Sequence, residues 1–117
     1  MPDLRRLRSL TTTGASPRGT VKPVTPGELL RDEFLEPLGI SQYRLAKEIG
    51  VPAQRIGQIV LGRRRITADT DLRLCRFFGL TDGYWLRAQT AYDIDMARRD
   101  LGAELKRIKP WSGAACL

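Results

Sequence analysis

Two glutamines four residues apart and a run of three arginines carry the clearest chemistry in this chain. Gln54 and Gln58 stand at i and i+4 within VPAQRIGQIVLGRRR, and Leu61 follows at i+7, so the three share one face of a helix. A glutamine amide sets a donor beside an acceptor and can pair bidentately with an adenine edge in the major groove. Arg63, Arg64 and Arg65 follow directly after Gly62. Guanidinium groups at that place can grip phosphates, which fix the register of a protein on a duplex and supply much of its affinity. The same residues also fit a plainer arrangement, a helical hairpin with solvated glutamines and a solvated arginine turn. Catalytic chemistry finds no such residues. The chain has no histidine, which excludes imidazole acid–base work, and its two cysteines, Cys75 and Cys116, cannot build a four-thiolate zinc site. No phosphate loop, paired catalytic carboxylates or nucleophile-and-base set is present. No enzyme activity, metal or cofactor is therefore expected.

The elements that must position these residues are two short helices and a tight turn. In SQYRLAKEIG, Leu45, Ala46 and Ile49 fall on one face; in the next segment Ile56, Ile59 and Val60 do the same. Gly50 suits the stop of the first helix, where a Cβ is penalised, and Pro52 cannot continue that helix but is well tolerated at the start of the next. Helix, turn and second helix from Ser41 to Gly62 form the pattern by which a small protein offers one helix to the major groove. Gly57, inside the second helix, costs roughly 1 kcal/mol against Ala, which close approach to another surface would justify.

At 117 residues the chain has room for one domain with a modest core. Its net charge of +7 favours an anionic partner, but the charge is uneven: residues 1–24 hold five Lys/Arg and one Asp, leaving the rest at only +3. Residues 1–24 are rich in Thr, Ser, Gly, Pro and Arg and read as a disordered, flexible basic arm. Two readings stay open for them: an arm that reaches DNA, or a start codon chosen upstream of the true one. No apolar run approaches 18 residues and no secretory signal is present, so a cytoplasmic protein without a membrane segment is expected. Cys75 reads as a buried thiol in a reducing compartment.

The remaining pattern is helical, with no strand-like alternation. Thr25-Pro26-Gly27-Glu28 predicts a capping box opening a helix that turns Leu29, Leu30, Phe34 and Leu35 inward and stops near Pro37-Leu38-Gly39. Ser41 caps the next helix. A start at Thr67 to Thr70 precedes a stripe of Leu72, Cys75 and Phe78 that ends at Gly79. Thr81-Asp82 opens a long segment to about 107, closed by Lys109-Pro110. The expected architecture is all-α: a five-helix bundle over 25–109 carrying the helix-turn-helix and an extended C-terminal helical segment, with 110–117 as a tail. Tyr92, Ile94, Met96, Leu101, Leu105 and Ile108 exceed what one short helix needs to bury. They predict a homodimer interface, or else close the monomer core. Glu28, Asp32 and Glu36, with Glu33 alongside, form an acidic stripe on the first helix, either a solvated face or a dock for a cationic protein.

The segments PGELLRDEFLEPLGISQYRLAKEIGVPAQRI, GRRRITADTDLRLCRFFG and YWLRAQTAYDIDMAR together resemble the HigA family of antitoxins, within the XRE (Cro/CI-like) helix-turn-helix class. The resemblance runs from Pro26 to about Arg98; the first 24 residues and the last ten or so lie outside it. It implies a dimeric, non-enzymatic repressor that binds a palindrome in its own promoter. It also implies capture of a HigB-type toxin, a ribosome-dependent mRNA endonuclease. It places Gln42 at a phosphate-contacting position and Ala53, Gln54 and Gln58 at base-reading positions. Ala53 departs from many XRE repressors, although its methyl can meet a thymine methyl. The candidate DNA-contacting set is thus Gln42, Pro52, Ala53, Gln54, Arg55, Gln58, Arg63, Arg64 and Arg65. Glu28, Asp32, Glu33 and Glu36 are the candidate toxin contacts. Two alternatives stand beside this reading: a solitary repressor with no toxin, and a protein-interaction bundle that has lost DNA binding.

Overall fold

A computed structural model describes residues 23–112. Most of the proposed basic arm (residues 1–22) and most of the tail (residues 113–117) lie outside the described residues. Five helices form the described chain. The first, α1, is composite: a turn of α-helix over Pro26–Leu29, a π-helical stretch over Leu30–Leu35 and a last turn over Glu36–Leu38. Then come α2 (Gln42–Ile49), α3 (Ala53–Val60), α4 (Ala68–Phe78) and α5 (Tyr84–Arg107). The predicted capping box is formed: Thr25 Oγ1 accepts from the Glu28 N–H at 3.1 Å, and the Thr25 N–H donates to Glu28 Oε1 at 3.0 Å. Ser41 caps α2 as expected, accepting from the Arg44 N–H at 3.0 Å.

The widened stretch in α1 has a cause in the sequence. Pro37 has no N–H for the Glu33 carbonyl, and in a regular α-helix its ring would crowd that carbonyl. The wider i to i+5 turn, seen in the Glu36 N–H donating to the Arg31 carbonyl, is the geometry that accommodates it. It still directs Leu30, Phe34 and Leu35 inward.

The core gathers one face of every helix. Phe34, Phe78 and Trp85 are fully buried at its centre, with ring centroids 4.9 Å apart for Phe34–Phe78 and for Phe34–Trp85; Tyr84 meets the Trp85 ring edge-on at 5.1 Å. Each such aromatic contributes roughly 1.5–3 kcal/mol by burial. The inner face of α4 differs from the predicted stripe: Leu74 is buried with Cys75 and Phe78, and Leu72 is 49% exposed. Thr70, Asp71, Leu74, Cys75 and Phe78 make the inward set, and the sequence alone could not choose it because Leu72 and Leu74 fit two overlapping stripes.

The start of α5 also differs from expectation. Thr81 and Asp82 precede the helix, but its first turn is capped from α4. The Asp71 carboxylate, 1% exposed, accepts from the N–H groups of Gly83 (2.7 Å), Trp85 (2.8 Å) and Leu86 (3.2 Å). An anion here also meets the positive end of the helix dipole. At 1.5 Å per residue α5 is about 36 Å long, its second half is almost entirely exposed, and the molecule as a whole measures 53 Å along its longest axis. Among the described residues no helix is long and apolar enough to cross a membrane.

Candidate nucleic-acid interface

The pair α2–α3 is built as the spacing predicts, with Leu45, Ala46 and Ile49 of α2 buried against Ile56, Ile59 and Val60 of α3. Gly50 takes φ 76°, in the left-handed region that favours glycine, and its N–H returns to the Ala46 carbonyl at 2.9 Å. A second fastening comes from α4. Arg73 Nη1 donates to the carbonyls of Ile49 (2.8 Å) and Gly50 (3.4 Å), and Arg73 Nε pairs with Asp69 at 3.1 Å. Asp69 also takes Arg55 of α3 at 2.9 Å. One carboxylate thus ties α3 to the residue that caps α2, and Arg73 first and Arg55 second hold its pKa below the usual carboxylate value.

A third fastening places α3 against α1. A Cβ at Gly27 would lie 1.9 Å from the Ile59 carbonyl oxygen and 2.8 Å from the Val60 Cα. Both are backbone atoms, so only glycine permits the crossing. The close approach expected at Gly57 is absent inside the fold, where the nearest atom to a Cβ would be Gln42 Oε1 at an ordinary 3.7 Å.

What α3 leaves outward is the predicted face. Pro52, Ala53, Gln54 and Leu61 are exposed, and Gln58 is half-buried with Oε1 3.5 Å from Arg64 Nη1. Gln42 is half-buried beside Gly57, between the two motif helices. The arginines divide. Arg63 and Arg64 are exposed and have no ion-pair partner among the described residues. Arg55 is 27% exposed and engaged with Asp69. Arg65 reaches back to α5 and pairs with Asp93. Asp93 takes a further bond from Gln89 Nε2 at 3.0 Å, and the Gln89 carbonyl oxygen accepts from the Ile66 N–H at 3.3 Å. Arg65 first, then Gln89, lower the Asp93 pKa, and Asp93 in turn raises that of Arg65. The loop after α3 is therefore strapped to α5 at two points. A residue that sequence reasoning passed over is Tyr43, 69% exposed on α2 beside Gln42; its hydroxyl is a donor of the kind that meets phosphate. Its only signal was an aromatic on the polar side of an amphipathic helix.

The acidic stripe of α1 is partly engaged. Glu28 belongs to the capping box and Asp32 pairs with Arg31 at 2.7 Å; Glu36 is exposed and Glu33 half-buried. Ile94, Leu101 and Leu105 on α5 and Ile108 just past its end are 50%, 43%, 46% and 67% exposed, whereas Tyr92 and Met96 are half-buried.

A helix pair packed through its apolar faces and presenting one polar face beside arginines with no ion-pair partner among the described residues is the arrangement of a helix-turn-helix protein, and a helix-turn-helix family model matches residues 32–85. The chain is 52% identical over 77 residues to virulence-associated protein I of Dichelobacter nodosus, a match covering 66% of this chain and 71% of the relative. It is 36% identical over 89 residues to antitoxin HigA-1 of Vibrio cholerae, covering 76% and 84%. Among solved structures, Pseudomonas aeruginosa antitoxin HigA with the higBA promoter superposes with a TM-score of 0.71 at 37% identity, covering 76% of this chain and 98% of that one. The chain belongs to the HigA family of antitoxins, which are helix-turn-helix regulators and not enzymes.

Proposed function

We propose that this protein is the antitoxin of a two-gene module. On this reading it acts in the cytoplasm as a dimer, represses its own operon by binding a palindrome in the promoter, and captures an mRNA-cleaving HigB-type toxin. The observation that carries the DNA half is the outward face of α3, where Ala53, Gln54 and Gln58 stand free of the core with exposed Arg63 and Arg64 at the helix end. Gln54 and Gln58 would read base edges, and Arg63, Arg64, Gln42 and Tyr43 would hold phosphates on either side. The solved P. aeruginosa relative, described with its promoter, supports the same use of this motif.

The exposed stripe of α5 supports the dimer reading. At 3.6 residues per turn, Ile94, Leu101, Leu105 and Ile108 fall within about 60° of one another. A second copy offering the same stripe would cover all four. Two reading helices related by such an axis would meet half-sites about 34 Å apart or a multiple of that. For the toxin, Glu33 and Glu36 of α1, which have no ion-pair partner among the described residues, are the proposed contacts, with Glu28 and Asp32 adding to the local negative field; this acidic edge would draw a cationic RNA-cleaving protein.

The experiment has two arms. An electrophoretic shift with the protein's own promoter tests the repressor, and co-purification with the product of the adjacent gene tests the antitoxin. A shift without a captured partner would leave a solitary repressor. Capture without a shift would leave an interaction bundle.

A further inference from the structure

The loop that leaves the reading helix is tied to α5 by a short chain of hydrogen bonds. Gln89 is 8% exposed, and both ends of its amide are used. Its carbonyl oxygen accepts from the Ile66 N–H at 3.3 Å, and its Nε2 donates to Asp93 at 3.0 Å. Asp93 in turn holds Arg65, the last of the three arginines. Helix packing adds little to this tie. α3 packs on α1 and α2, whereas α5 packs on α1 and α4. A cleft lined by Ile59, Gly62, Gln89 and Tyr92 lies between the end of α3 and α5.

α5 is thus fastened at two places. Its first turn is fixed by the Asp71 carboxylate and by burial of Trp85. The second place is Gln89 with Asp93, one to two turns further on. Tyr92 and Met96 are half-buried, and from Ala97 the helix is exposed but for half-buried Gly102. That exposed half carries Leu101 and Leu105 of the proposed dimer stripe. Such a helix behaves as a lever. Asp93 stands eight residues and Leu105 twenty residues beyond Trp85, about 12 and 30 Å along the axis. A sideways shift of about 1 Å at Asp93 therefore becomes about 2.5 Å at Leu105. Two protomers joined there would move by up to about 5 Å relative to one another, against a rise of ~3.4 Å per base pair.

We propose that Gln89 and Asp93 are positioning residues that set the half-site spacing this protein accepts. They act through Ile66 and Arg65, by locking the loop after α3 to the helix that carries the dimer contact. The inference rests on the DNA-binding dimer proposed above and adds to it the residues that measure the distance between its two reading helices. This role is separate from base selection. Arg55–Asp69 and the Gly27 crossing hold α3 within its own protomer. Gln89 and Asp93 hold it relative to the second copy.

The test compares the full-length wild type with Asp93→Ala and Gln89→Leu. Asp93→Ala removes a partly exposed pair that adds little to stability, so it serves even where the buried Gln89 variant folds poorly. Each protein is titrated by fluorescence anisotropy against four duplexes: the promoter site, that site with one base pair inserted between its half-sites, that site with one removed, and a single half-site. The wild type should lose about 30–100-fold on either altered spacing, because its second reading helix then meets bases out of register and forfeits its bidentate pairs. Asp93→Ala should bind the promoter site roughly 2–5-fold more weakly, since a looser dimer has more freedom to lose. It should lose only about 3–10-fold on the altered spacings, match the wild type on the single half-site, and sediment as the same dimer. Equal spacing discrimination in wild type and Asp93→Ala would overturn the proposal. So would an equal loss on all four duplexes, which is the mark of a merely structural role. A monomeric Asp93→Ala would overturn it by placing the residue in the dimer contact itself. If the wild type binds no promoter duplex, or sediments as a monomer with and without DNA, the reading beneath the proposal fails and the proposal falls with it.

Discussion

The Asp71 carboxylate is the point where a single atom pair changes the most. It is 1% exposed on α4 and is the acceptor for the N–H groups of Gly83, Trp85 and Leu86 at the start of α5; the Cys75 thiol also lies 3.6 Å from Oδ1. Asp71→Ala leaves those donors without a partner in a place that water reaches poorly. One buried orphan costs about 1–3 kcal/mol, and bonds to a charged acceptor are at the strong end of the range. The favourable meeting of carboxylate and helix dipole, up to about 2 kcal/mol in a partly buried site, is lost as well. These terms overlap, so a total of about 3–5 kcal/mol is expected, a large share of the roughly 5–13 kcal/mol ordinary for a fold of this size. Asp71→Asn keeps the shape and one acceptor but turns an NH2 group toward a backbone N–H, and should cost about 2–3 kcal/mol. In urea, with a slope of about 1.5 kcal/mol/M, the Ala variant should unfold about 2–3 M earlier. Native-state hydrogen exchange gives a second reading: the amides of Gly83, Trp85 and Leu86 should lose protection before the rest of α5. An Ala variant within about 1 kcal/mol of wild type, with those amides still protected, would refute the reasoning.

Four further outcomes are expected. Gly27→Ala sets a methyl against the Ile59–Val60 backbone and should cost about 3 kcal/mol by forcing α1 off α3, read by thermal melting together with weakened operator binding. Gln54→Ala or Gln58→Ala should cost about 1–3 kcal/mol of operator binding and relax base preference, while Arg64→Ala should weaken binding to all sequences and flatten the salt dependence; unchanged operator affinity in both Gln variants would remove them from the reading face. Replacing Leu101 and Leu105 by Asp on the exposed stripe of α5 should convert a sedimenting dimer to monomer at micromolar concentration, and a wild type that is monomeric with and without DNA would dispose of the dimer. Arg73 and Arg55 depress the Asp69 pKa, and Arg65 and Gln89 depress that of Asp93. Stability from a depressed carboxylate is complete above the unfolded pKa of about 3.9 and is lost as pH falls through the folded value, so melting temperatures should hold from neutrality to about pH 5 and fall below about pH 4, less steeply in Asp93→Asn.

The parts of this fold that were legible in the sequence are those decided within a few residues. Thr25 with Glu28, Ser41, Gly50 and Gly79 mark helix ends through contacts no more than about four residues long, and each does in the structure what its type and position implied. The outward face of α3 was legible for the same reason, since periodicity alone separates Gln54 and Gln58 from Ile56 and Ile59. The parts that stayed hidden depend on which helices meet. Asp71 reads as an unremarkable acid in the first turn of α4; only the arrival of α5 twelve to fifteen residues later makes it that helix's cap. A carboxylate sharing the inward face with Leu74, Cys75 and Phe78 was the available hint that it must find donors.

The arginines show the same division in a form that bears on function. Arg55 and Arg65 looked equivalent to Arg63 and Arg64 as phosphate ligands because charge and proximity to α3 are all the sequence records. Their partners, Asp69 and Asp93, stand 14 and 28 residues away. With those pairs formed, Arg55 holds the start of α3 to α4, and Arg65 holds the loop after α3 to α5. The side chains proposed for DNA contact are thus suspended between two internal anchors. A reading helix misplaced by an ångström would lose bidentate geometry at every base it meets, whereas phosphate contacts through long arginines tolerate such a shift. Anchoring both ends of α3 therefore serves base selection more than raw affinity, and loosening Arg55–Asp69 should blur sequence preference before it abolishes binding.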